Sequence, residues 1–423
     1  METKSNPEPR YNFTSLFYKF PSYLRRSAIA KAYGMVSSYR SNLANWENKK
    51  SETRGMKPSK PTIGMCFPAM YRDNCFVRTG TYTARLKAFV RNTWDWVDVM
   101  LRKCDVDYIL RHCKSCKECV PTLTKRGKNW SLDFAFEKSS KLSDTPIEER
   151  RIVAVDLGIN NAAVCCVMEP DGTVVGREFL SLKRENDCLE HALKLIRRAQ
   201  KAGARKKPKL NAKALGISRR ISELTAGFIH DVAVGYGADC VVMEHLDVSG
   251  RKKGSRKERL HRWGVKRIHG IVMHKCHCDG IRVSTVCAVN TSRLAFDGSG
   301  EVKRGRASTK TGGSYSVCEF PSGKVYNCDL NASYNIGARY YIREILGSMP
   351  ERARSEAEAK APSLLKRSTC TLSDLKGLRA VLRGGMAAAD TERVMSGKAR
   401  DSRAHKGRTG GSRRDGMHAT KVV

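Results

Sequence analysis

The sequence lacks long hydrophobic runs and is poor in acidic residues. No stretch of eighteen consecutive apolar residues occurs in its 423 residues, so no membrane-spanning helix is expected. The first ten residues are polar, unlike the apolar core of a secretion signal. Asp and Glu number only 42 against 79 Lys and Arg, which gives a formal charge of +37. That excess favours a polyanionic partner and argues against an ordinary small-molecule enzyme.

The cysteines do not form the compact framework of a small disulfide-rich protein. Sixteen are scattered along the chain, and several stand inside apolar runs, among them Cys165, Cys166 and Cys240. Such placement is typical of reduced thiols in a protein core. We therefore expect an intracellular protein, and the hydrophobic content of 40% is enough for two or three folded domains.

The first 150 residues predict a helix followed by strands. Apolar residues recur at three- and four-residue steps from Pro21 to Trp46, which indicates one amphipathic helix. After a Lys-, Pro- and Gly-rich linker, apolar and polar residues alternate at 97–101 and 130–136, as in half-buried strands. We expect a helical recognition segment at 1–60 and a β-rich, barrel-like module at 61–150.

A second domain, of the α/β class, is predicted at 151–346. Its buried strands are short apolar runs, and its helices carry apolar residues at helical spacing. The expected strands lie at 152–156, 162–168, 173–182, 240–244 and 281–286, and the expected helices at 189–196, 217–232, 260–272 and 331–346.

The last segment, 347–423, is predicted to be a basic, mostly disordered tail. It carries 17 Lys and Arg against 8 Asp and Glu, and it is rich in Gly, Ala and Ser. Apart from 375–382, its apolar residues show little periodicity.

Three acidic residues share one kind of position, at the end of a buried strand or the start of a helix. They are Asp156, Glu244 and Asp329. Because neighbouring strands end side by side, Asp156 and Glu244 are expected to lie a few ångströms apart, with Asp329 delivered by a helix packed over them. Clustered carboxylates bind Mg²⁺ or Mn²⁺, and two such ions activate a water and stabilise the leaving oxygen in phosphodiester cleavage.

Each of these residues also has a simpler interpretation. An Asp before Leu-Gly is often a turn residue, and an Asp before a helix is often its N-cap. The segment 156–161 is also similar to the phosphate loop of actin and chaperone-type ATPases. Those proteins need a second Gly-rich loop after a later acidic strand, and the sequence offers none.

Taken in order, the three motifs resemble those of one nuclease family. Asp156-Leu-Gly-Ile-Asn-Asn is followed by Val242-Met-Glu-His-Leu and by Asp329-Leu-Asn-Ala-Ser-Tyr-Asn-Ile. These are similar to the RuvC motifs of the TnpB nucleases of insertion sequences and of compact type V CRISPR effectors. The segment 289–293 also resembles the one that precedes the zinc ribbon in that family.

The resemblance, strong over 151–346, carries definite expectations. It implies an RNase H-like catalytic domain, an N-terminal recognition lobe with a wedge barrel, and Mg²⁺- or Mn²⁺-dependent cleavage of DNA. Asp156, Glu244 and Asp329 would be the metal-binding catalytic triad, whereas Asn331 would help to cap its helix. The implied partners are a guide RNA and double- and single-stranded target DNA, in a prokaryotic cytoplasm.

The chain departs from the family where a zinc ribbon is expected, at about 288–328. The place of the first Cys pair is 294–298, which has no Cys, and the second place keeps only Cys318, with Cys328 ten residues later. Two thiolates are too few for a four-thiolate site. We expect a zinc-free loop here.

Two other clusters contain metal-ligand residue types. The first is Cys113, Cys116 and Cys119, with His112 or Cys104 as the residue that would complete a tetrahedral site, and the second spans 274–278. In the second, Cys276 falls on the apolar face of a helix with Ile268 and Val272, where a buried thiol is ordinary. Whether the first binds a metal stays open.

Basic residues are expected along a nucleic-acid path, because Lys and Arg neutralise phosphates without reading sequence. Trp263 has the chemistry to stack on a base but is a more ordinary core residue. The candidates are Arg205, Lys206, Lys207, Arg219, Arg220, Arg262, Trp263, Arg267 and Arg293.

The leading functional prediction is an RNA-guided DNA endonuclease with a single RuvC site. One alternative is an RNA-guided DNA-binding protein that represses without efficient cleavage. Another is an unguided transposon-associated nuclease or transposase, which would cut DNA without RNA. The guide, the flanking target motif, the cut positions, the oligomeric state and the choice between a transposon and a CRISPR locus are not given by the sequence.

Overall fold

The computed structural model describes residues 10–49, 54–62, 69–127, 129–158, 161–246, 264–308 and 310–383. The chain forms two compact units, the first ending at Ser139 and the second beginning at Ser140. The boundary therefore lies earlier than the one predicted after residue 150. The reason is a set of hydrogen bonds within the second unit: Ser143 and Thr145 donate to Asp239 Oδ1 at 2.7 and 2.6 Å.

The first unit contains the predicted long helix. A short helix α1 (Phe13–Leu16) precedes α2 (Ser22–Glu47), and Pro21 stands at the N-cap position of α2. Leu24 of α2 packs against Met70, Phe76 and Leu86 of the strand region. The two segments predicted at 1–60 and 61–150 thus share one core.

The strands of this unit are antiparallel. They are β1 (Phe76–Arg78), β2 (Thr83–Val90), β3 (Thr93–Met100), then, after α3 (Lys103–His112), β4 (Lys117–Glu118), β5 (Thr122–Arg126), β6 (Asn129–Asp133) and β7 (Phe136–Glu137). β1, β2 and β3 form one sheet in that order, β4 pairs with β7, and β5 pairs with β6. Helix α3 was not predicted.

The second unit is built on one five-stranded mixed sheet. Its strands are β8 (Ile152–Asp156), β9 (Asn161–Met168), β10 (Val174–Ser181), β11 (Cys240–His245) and β12 (Arg282–Cys287), in the spatial order β10-β9-β8-β11-β12. β8, β9 and β10 are antiparallel neighbours, while β11 runs parallel to β8 and β12. Sheet and helices confirm the predicted α/β class for this unit.

Helices cover both faces of this sheet. They are α4 (Lys183–Lys201), α5 (Pro208–Gly235), α6 (Val265–Cys278) and α7 (Cys328–Ser348). Successive residues of β8 point to opposite faces, so Ile152 and Ala154 pack in the core under α7, while Val153 and Val155 pack in the core under α5 and α6. β8 is therefore buried on both sides, which explains its continuous apolar run.

Gly337 lets α7 approach the sheet closely. A Cβ at this position would lie 3.0 Å from Met168 Sδ and 3.3 Å from Ala154 Cβ. The absence of a side chain lets the middle of α7 pack directly on β8 and β9.

The segment predicted as a zinc-free loop is folded, and the expectation of a loop is wrong. It contains β13 (Lys303–Arg304), β14 (Val317–Glu319) and β15 (Val325–Asn327) in a three-stranded antiparallel sheet. Ala295, Cys318, Phe320 and Cys328 form its core, and Phe296 packs edge-on against Phe320 at 5.3 Å between ring centroids. Aromatic side chains supply the packing that folds this segment.

The prediction of a disordered tail is wrong for residues 347–383. Helix α8 (Glu351–Lys360) is followed by two 3₁₀ turns and by α9 at 372–383. Leu372, Leu375 and Leu378 are buried in the core under α7, at 5%, 0% and 0% exposure. Residues 384–423 lie outside the described residues. No described helix is long and apolar enough to cross a membrane.

Candidate active site

Asp156 and Glu244 stand side by side at the carboxyl ends of two parallel strands. Val155 of β8 is paired with Met243 of β11, so the next residue on each strand is an acid. Neighbouring strands lie about 4.8 Å apart, which brings these two carboxylates to the same edge of the sheet. The predicted proximity of Asp156 and Glu244 is thus explained by strand register.

Asp329 reaches the same edge from the first turn of α7. Asn327 is the N-cap of this helix, because its Oδ1 accepts hydrogen bonds from the backbone N–H groups of Asp329 and Leu330, both at 3.0 Å. The side chain of Asp329 is therefore not used as a cap. Its Oδ2 accepts a hydrogen bond from Asn161 Nδ2 at 2.8 Å.

Asn331 does not cap α7, contrary to the sequence expectation. It is fully buried, its Nδ2 donates to Leu294 O at 2.8 Å, and its Oδ1 accepts from Phe296 N–H at 2.8 Å. Asn331 fastens the loop that follows β12 onto the helix.

Glu244 is 8% exposed, and its carboxylate is held from the loop after β12. Thr291 donates a hydrogen bond from its hydroxyl to Glu244 Oε1. Burial raises the pKa of Glu244, while the Thr291 hydrogen bond and the charge of Arg339 lower it. The net direction is upward, so this carboxylate is costly to keep charged.

The pKa of Asp156 responds to the negative charges of both other acids. The pKa of Asp156 lies well above its ordinary value, first because of burial, then because of the negative charges of Glu244 and Asp329. The positive charge of Arg304 acts in the opposite direction. A nearby cation would relieve this repulsion.

The donor chemistry of the site fits Mg²⁺ or Mn²⁺, since all three side chains offer hard carboxylate oxygens. Their present spacing is looser than that of a metal centre. Within the described ranges, no three His, Cys, Asp or Glu side chains, these carboxylates included, stand close enough together to hold one ion.

The cysteines of the predicted clusters lie in a turn or in hydrophobic cores. Cys113 and Cys116 lie in the turn after α3, and Cys276 is buried against Val272 in the core under α6. Cys318 and Cys328 are both buried in the core of the three-stranded insert, and the Cys318 thiol donates to Tyr326 O at 3.4 Å. In the described part of the chain, Cys113, Cys116 and Cys119 also do not stand in a group that could hold a metal ion.

The residues predicted to contact nucleic acid differ in their exposure. Arg205, Lys206, Arg219 and Arg220 are exposed before and along α5, whereas Lys207 and Arg267 are partly buried. Arg293 is exposed and pairs with Glu301 at 2.8 Å. Arg262 and Trp263 lie outside the described residues. Contact with nucleic acid stays a prediction for all of them.

Sequence reasoning did not single out three residues that act at this site: Asn161, Thr291 and Arg304. Asn161 belongs to the first motif, and Thr291 lies in the segment 289–293 that was compared with the family. Their positions in those motifs were the available signal. Arg304 lies outside any motif, and only the fold of the three-stranded insert brings it near Asp156.

The N-terminal part of the chain is similar in sequence to known proteins. Residues 1–90 match the Aq_aa04 family. Over 69 residues the chain is 41% identical to the uncharacterized protein aq_aa04 of Aquifex aeolicus (strain VF5), which covers 16% of this chain and 38% of that protein. The chain thus spans well under half the length of this curated relative.

Solved structures of nucleases resemble the chain distantly. A Cas12f1–sgRNA–target DNA complex covers 77% of this chain and 85% of its own, at 14% identity and a TM-score of 0.34. The AacC2c1–sgRNA binary complex covers 72% of this chain and 58% of its own, at 10% sequence identity and a TM-score of 0.39. Thermus thermophilus RuvC covers 55% of this chain and 96% of its own, at 11% sequence identity and a TM-score of 0.22. At these values the likenesses do not by themselves assign an activity.

Proposed function

We propose that this chain is a divalent-metal-dependent DNA endonuclease with an RNase H-like catalytic domain of the RuvC type. The observation that carries the proposal is the convergence of Asp156, Glu244 and Asp329 on one edge of the sheet. The three come from two adjacent strands and one helix, and two of them raise the pKa of the third. The order and surroundings of these acids in the sequence, which resemble the TnpB and type V effector motifs, add support.

The three carboxylates are the proposed ligands of two Mg²⁺ or Mn²⁺ ions. When bound, such ions supply an activated water and stabilise the charge that develops on the leaving oxygen. Asn161 and Thr291 donate hydrogen bonds to Asp329 and Glu244, and Arg304 adds positive charge near Asp156.

The net positive charge of the chain favours nucleic acid as the substrate. The excess of 37 positive charges attracts a polyanion, and exposed Arg205, Lys206, Arg219 and Arg220 offer phosphate contacts in the second unit. Guidance by RNA, with double- and single-stranded DNA as target, follows from the family resemblance and is part of the proposal. Cytoplasmic action in a prokaryote belongs to it too.

The catalytic proposal is tested by Asp156→Ala. The protein, purified with the RNA that accompanies it, is incubated with target DNA and Mg²⁺. We expect Asp156→Ala to lose at least about 10³-fold in cleavage rate while DNA binding in a mobility-shift assay changes little, because the change removes a proposed ligand and no phosphate contact. Asp187→Ala, at an exposed position of α4, is the matched control and should cut normally. An Asp156→Ala protein that still cuts would refute the assignment.

Guidance is tested separately by sequencing the RNA that copurifies when the protein is expressed with its native flanking DNA. A discrete RNA from the locus, ending in a variable segment, supports guided cleavage. Unrelated cellular RNA would favour an unguided nuclease. Specific DNA binding without cleavage by the wild-type protein would favour the repressor-like alternative.

A further inference from the structure

The loop that follows β12 is fastened to α7 by three side chains spaced four residues apart. Asn331, Asn335 and Arg339 lie on one face of the helix, because residues four apart face the same way. Asn331 binds Leu294 and Phe296 as described above. All three are at most 4% exposed, so they form a buried polar row, here called the α7 ladder.

The other two residues of the α7 ladder bind further carbonyl groups of the same loop. Asn335 Nδ2 donates to the carbonyl oxygens of Thr291 and Leu294, both at 2.9 Å. Arg339 Nη1 donates to the carbonyl oxygens of Cys287 and Val289 at 2.9 and 2.6 Å. The backbone on both sides of Thr291 is therefore held at fixed points.

The C-terminal segment completes this arrangement. Arg339 Nε donates to Cys370 O at 3.0 Å, and Leu372 N–H donates to Asn335 Oδ1 at 3.3 Å. A buried amide and a buried guanidinium gain most of their hydrogen bonds in this way, which makes the row rigid. The α7 ladder thus links the segment before α9 to the loop that carries Thr291.

Thr291 is the point at which the loop reaches the candidate active site. Its side chain is 2% exposed, and its hydroxyl lies 3.1 Å from Ala288 O as well as in hydrogen-bond contact with Glu244 Oε1. An ionised carboxylate can only accept hydrogen bonds, and the Thr291 hydroxyl has a single proton to donate. When Glu244 is charged, the hydroxyl therefore donates this proton to the Glu244 carboxylate. The hydroxyl therefore favours the charged, oriented form of Glu244.

We propose that Thr291 is a positioning residue that sets the orientation of Glu244 for a divalent cation, with the α7 ladder holding Thr291 in place. This inference rests on the proposed function, since it assigns Glu244 as a ligand. A purely packing role for Thr291 would need its methyl group but not its hydroxyl. The two roles are therefore separable by substitution.

The test measures Mn²⁺ binding by isothermal titration calorimetry, with no nucleic acid present. Thr291→Val keeps the shape and removes the hydroxyl, Thr291→Ser keeps the hydroxyl, and Thr291→Ala serves if the valine variant does not fold. We expect Thr291→Val or Thr291→Ala to bind Mn²⁺ about 10- to 100-fold more weakly, as is usual when a partner of a metal ligand is lost. Thr291→Ser should bind within about 3-fold of wild type.

Thr225→Val is the matched control. Thr225 is also fully buried, but its hydroxyl donates to the backbone carbonyl of Ile221 at 2.8 Å within α5 rather than to a carboxylate. Its substitution should leave Mn²⁺ affinity unchanged. Circular dichroism and the thermal midpoint show that each variant is folded.

The outcomes separate this inference from the proposed function. If Glu244→Gln loses Mn²⁺ binding while Thr291→Val and Thr291→Ala bind like wild type, the positioning role is overturned and the metal site stands. If Thr291→Ser binds as weakly as Thr291→Val, the hydroxyl is not the cause and the inference is also overturned. If wild type binds no Mn²⁺, or Glu244→Gln binds it equally well, the metal site itself fails and the inference fails with it.

Discussion

Asn161 donates a hydrogen bond from its side-chain amide to Asp329 across 168 residues of sequence, at 2.8 Å. Asn161 is the first residue of β9, and Asp329 lies in the first turn of α7. The first acidic motif therefore supplies both a candidate ligand, Asp156, and the residue that orients a second one. This relationship explains why a motif of Asp followed by Asn five residues later is useful at the end of a strand.

We expect Asn161→Ala to weaken Mn²⁺ binding by about 10- to 100-fold, because Asp329 loses the donor that orients it. Calorimetric titration with Mn²⁺ measures the effect. Asn42→Ala, at an exposed position on α2, is the control and should bind as wild type. Equal affinity in Asn161→Ala and wild type would show that Asp329 orients itself without this amide.

The mutual repulsion of the carboxylates leads to a prediction about stability. Replacing Asp156 by Asn removes one negative charge beside Glu244 and Asp329. In metal-free buffer at neutral pH, we expect Asp156→Asn to raise the free energy of unfolding by about 1 kcal/mol, as is common when a strained active-site group is removed. Thermal or urea unfolding measures it.

Added Mn²⁺ should reverse the order of the two proteins. Wild type gains stability because the ion binds the folded state, and Asp156→Asn gains little because it has lost a ligand. Asp187→Asn, at an exposed site on α4, should behave as wild type in both buffers. A wild-type midpoint that Mn²⁺ leaves unchanged would count against the metal site.

Asp239 predicts a pH dependence of stability. Burial raises its pKa, but hydrogen bonds from Thr145, Ser143 and the backbone N–H of Arg151 outweigh burial, so the pKa lies below its ordinary value. A carboxyl with a lowered pKa in the folded state stabilises the protein above the pKa of the unfolded chain, near 4. That contribution is lost as the pH falls through the folded-state pKa.

Asp239→Asn should therefore lower the free energy of unfolding by about 1–3 kcal/mol at pH 6–7, because the charged acceptor of three hydrogen bonds is lost. The difference from wild type should shrink below pH 4, and urea unfolding at several pH values measures it. Asp187→Asn is the control, because Asp187 lies at an exposed position of α4. A difference that does not vary with pH would mean that packing rather than charge is responsible.

The sequence predicted the sheet of the second unit well because its strands are buried on both faces. β8 and β11 are short apolar runs, each with an acid near its end, and such runs need no knowledge of their neighbours to be recognised. The proximity of Asp156 and Glu244 followed from the rule that parallel strands end together. Asp329 was placed by its position before a helix.

Contacts between distant segments were beyond prediction. Thr291, Arg304 and Cys370 reach their partners only through the fold of the insert and of the C-terminal segment. The sequence predicts a loop in place of the three-stranded insert because the cysteines of a zinc ribbon are missing. In the structure, Phe296 and Phe320 supply the packing that zinc would otherwise provide. Helix α9 was not predicted because its three buried leucines stand in a segment rich in charged and small residues.

Those leucines make the C-terminal segment part of the core, and Leu375 is the sharpest place to test this. Leu375 is fully buried, its Cδ2 approaches Gly172 in the turn between β9 and β10, and Arg379 of the same helix donates to Pro170 O at 3.0 Å.

We expect Leu375→Ala to lower the free energy of unfolding by about 2–4 kcal/mol, because it leaves a cavity in a packed core. Leu365→Ala, at a side chain that is 67% exposed, is the matched control and should change it by less than about 0.5 kcal/mol. Urea unfolding followed by tryptophan fluorescence and circular dichroism measures both. Equal stability of the two variants would mean that α9 is not docked in solution; a large loss confined to Leu375→Ala would establish that the second unit extends past residue 346, the end expected from its sequence motifs.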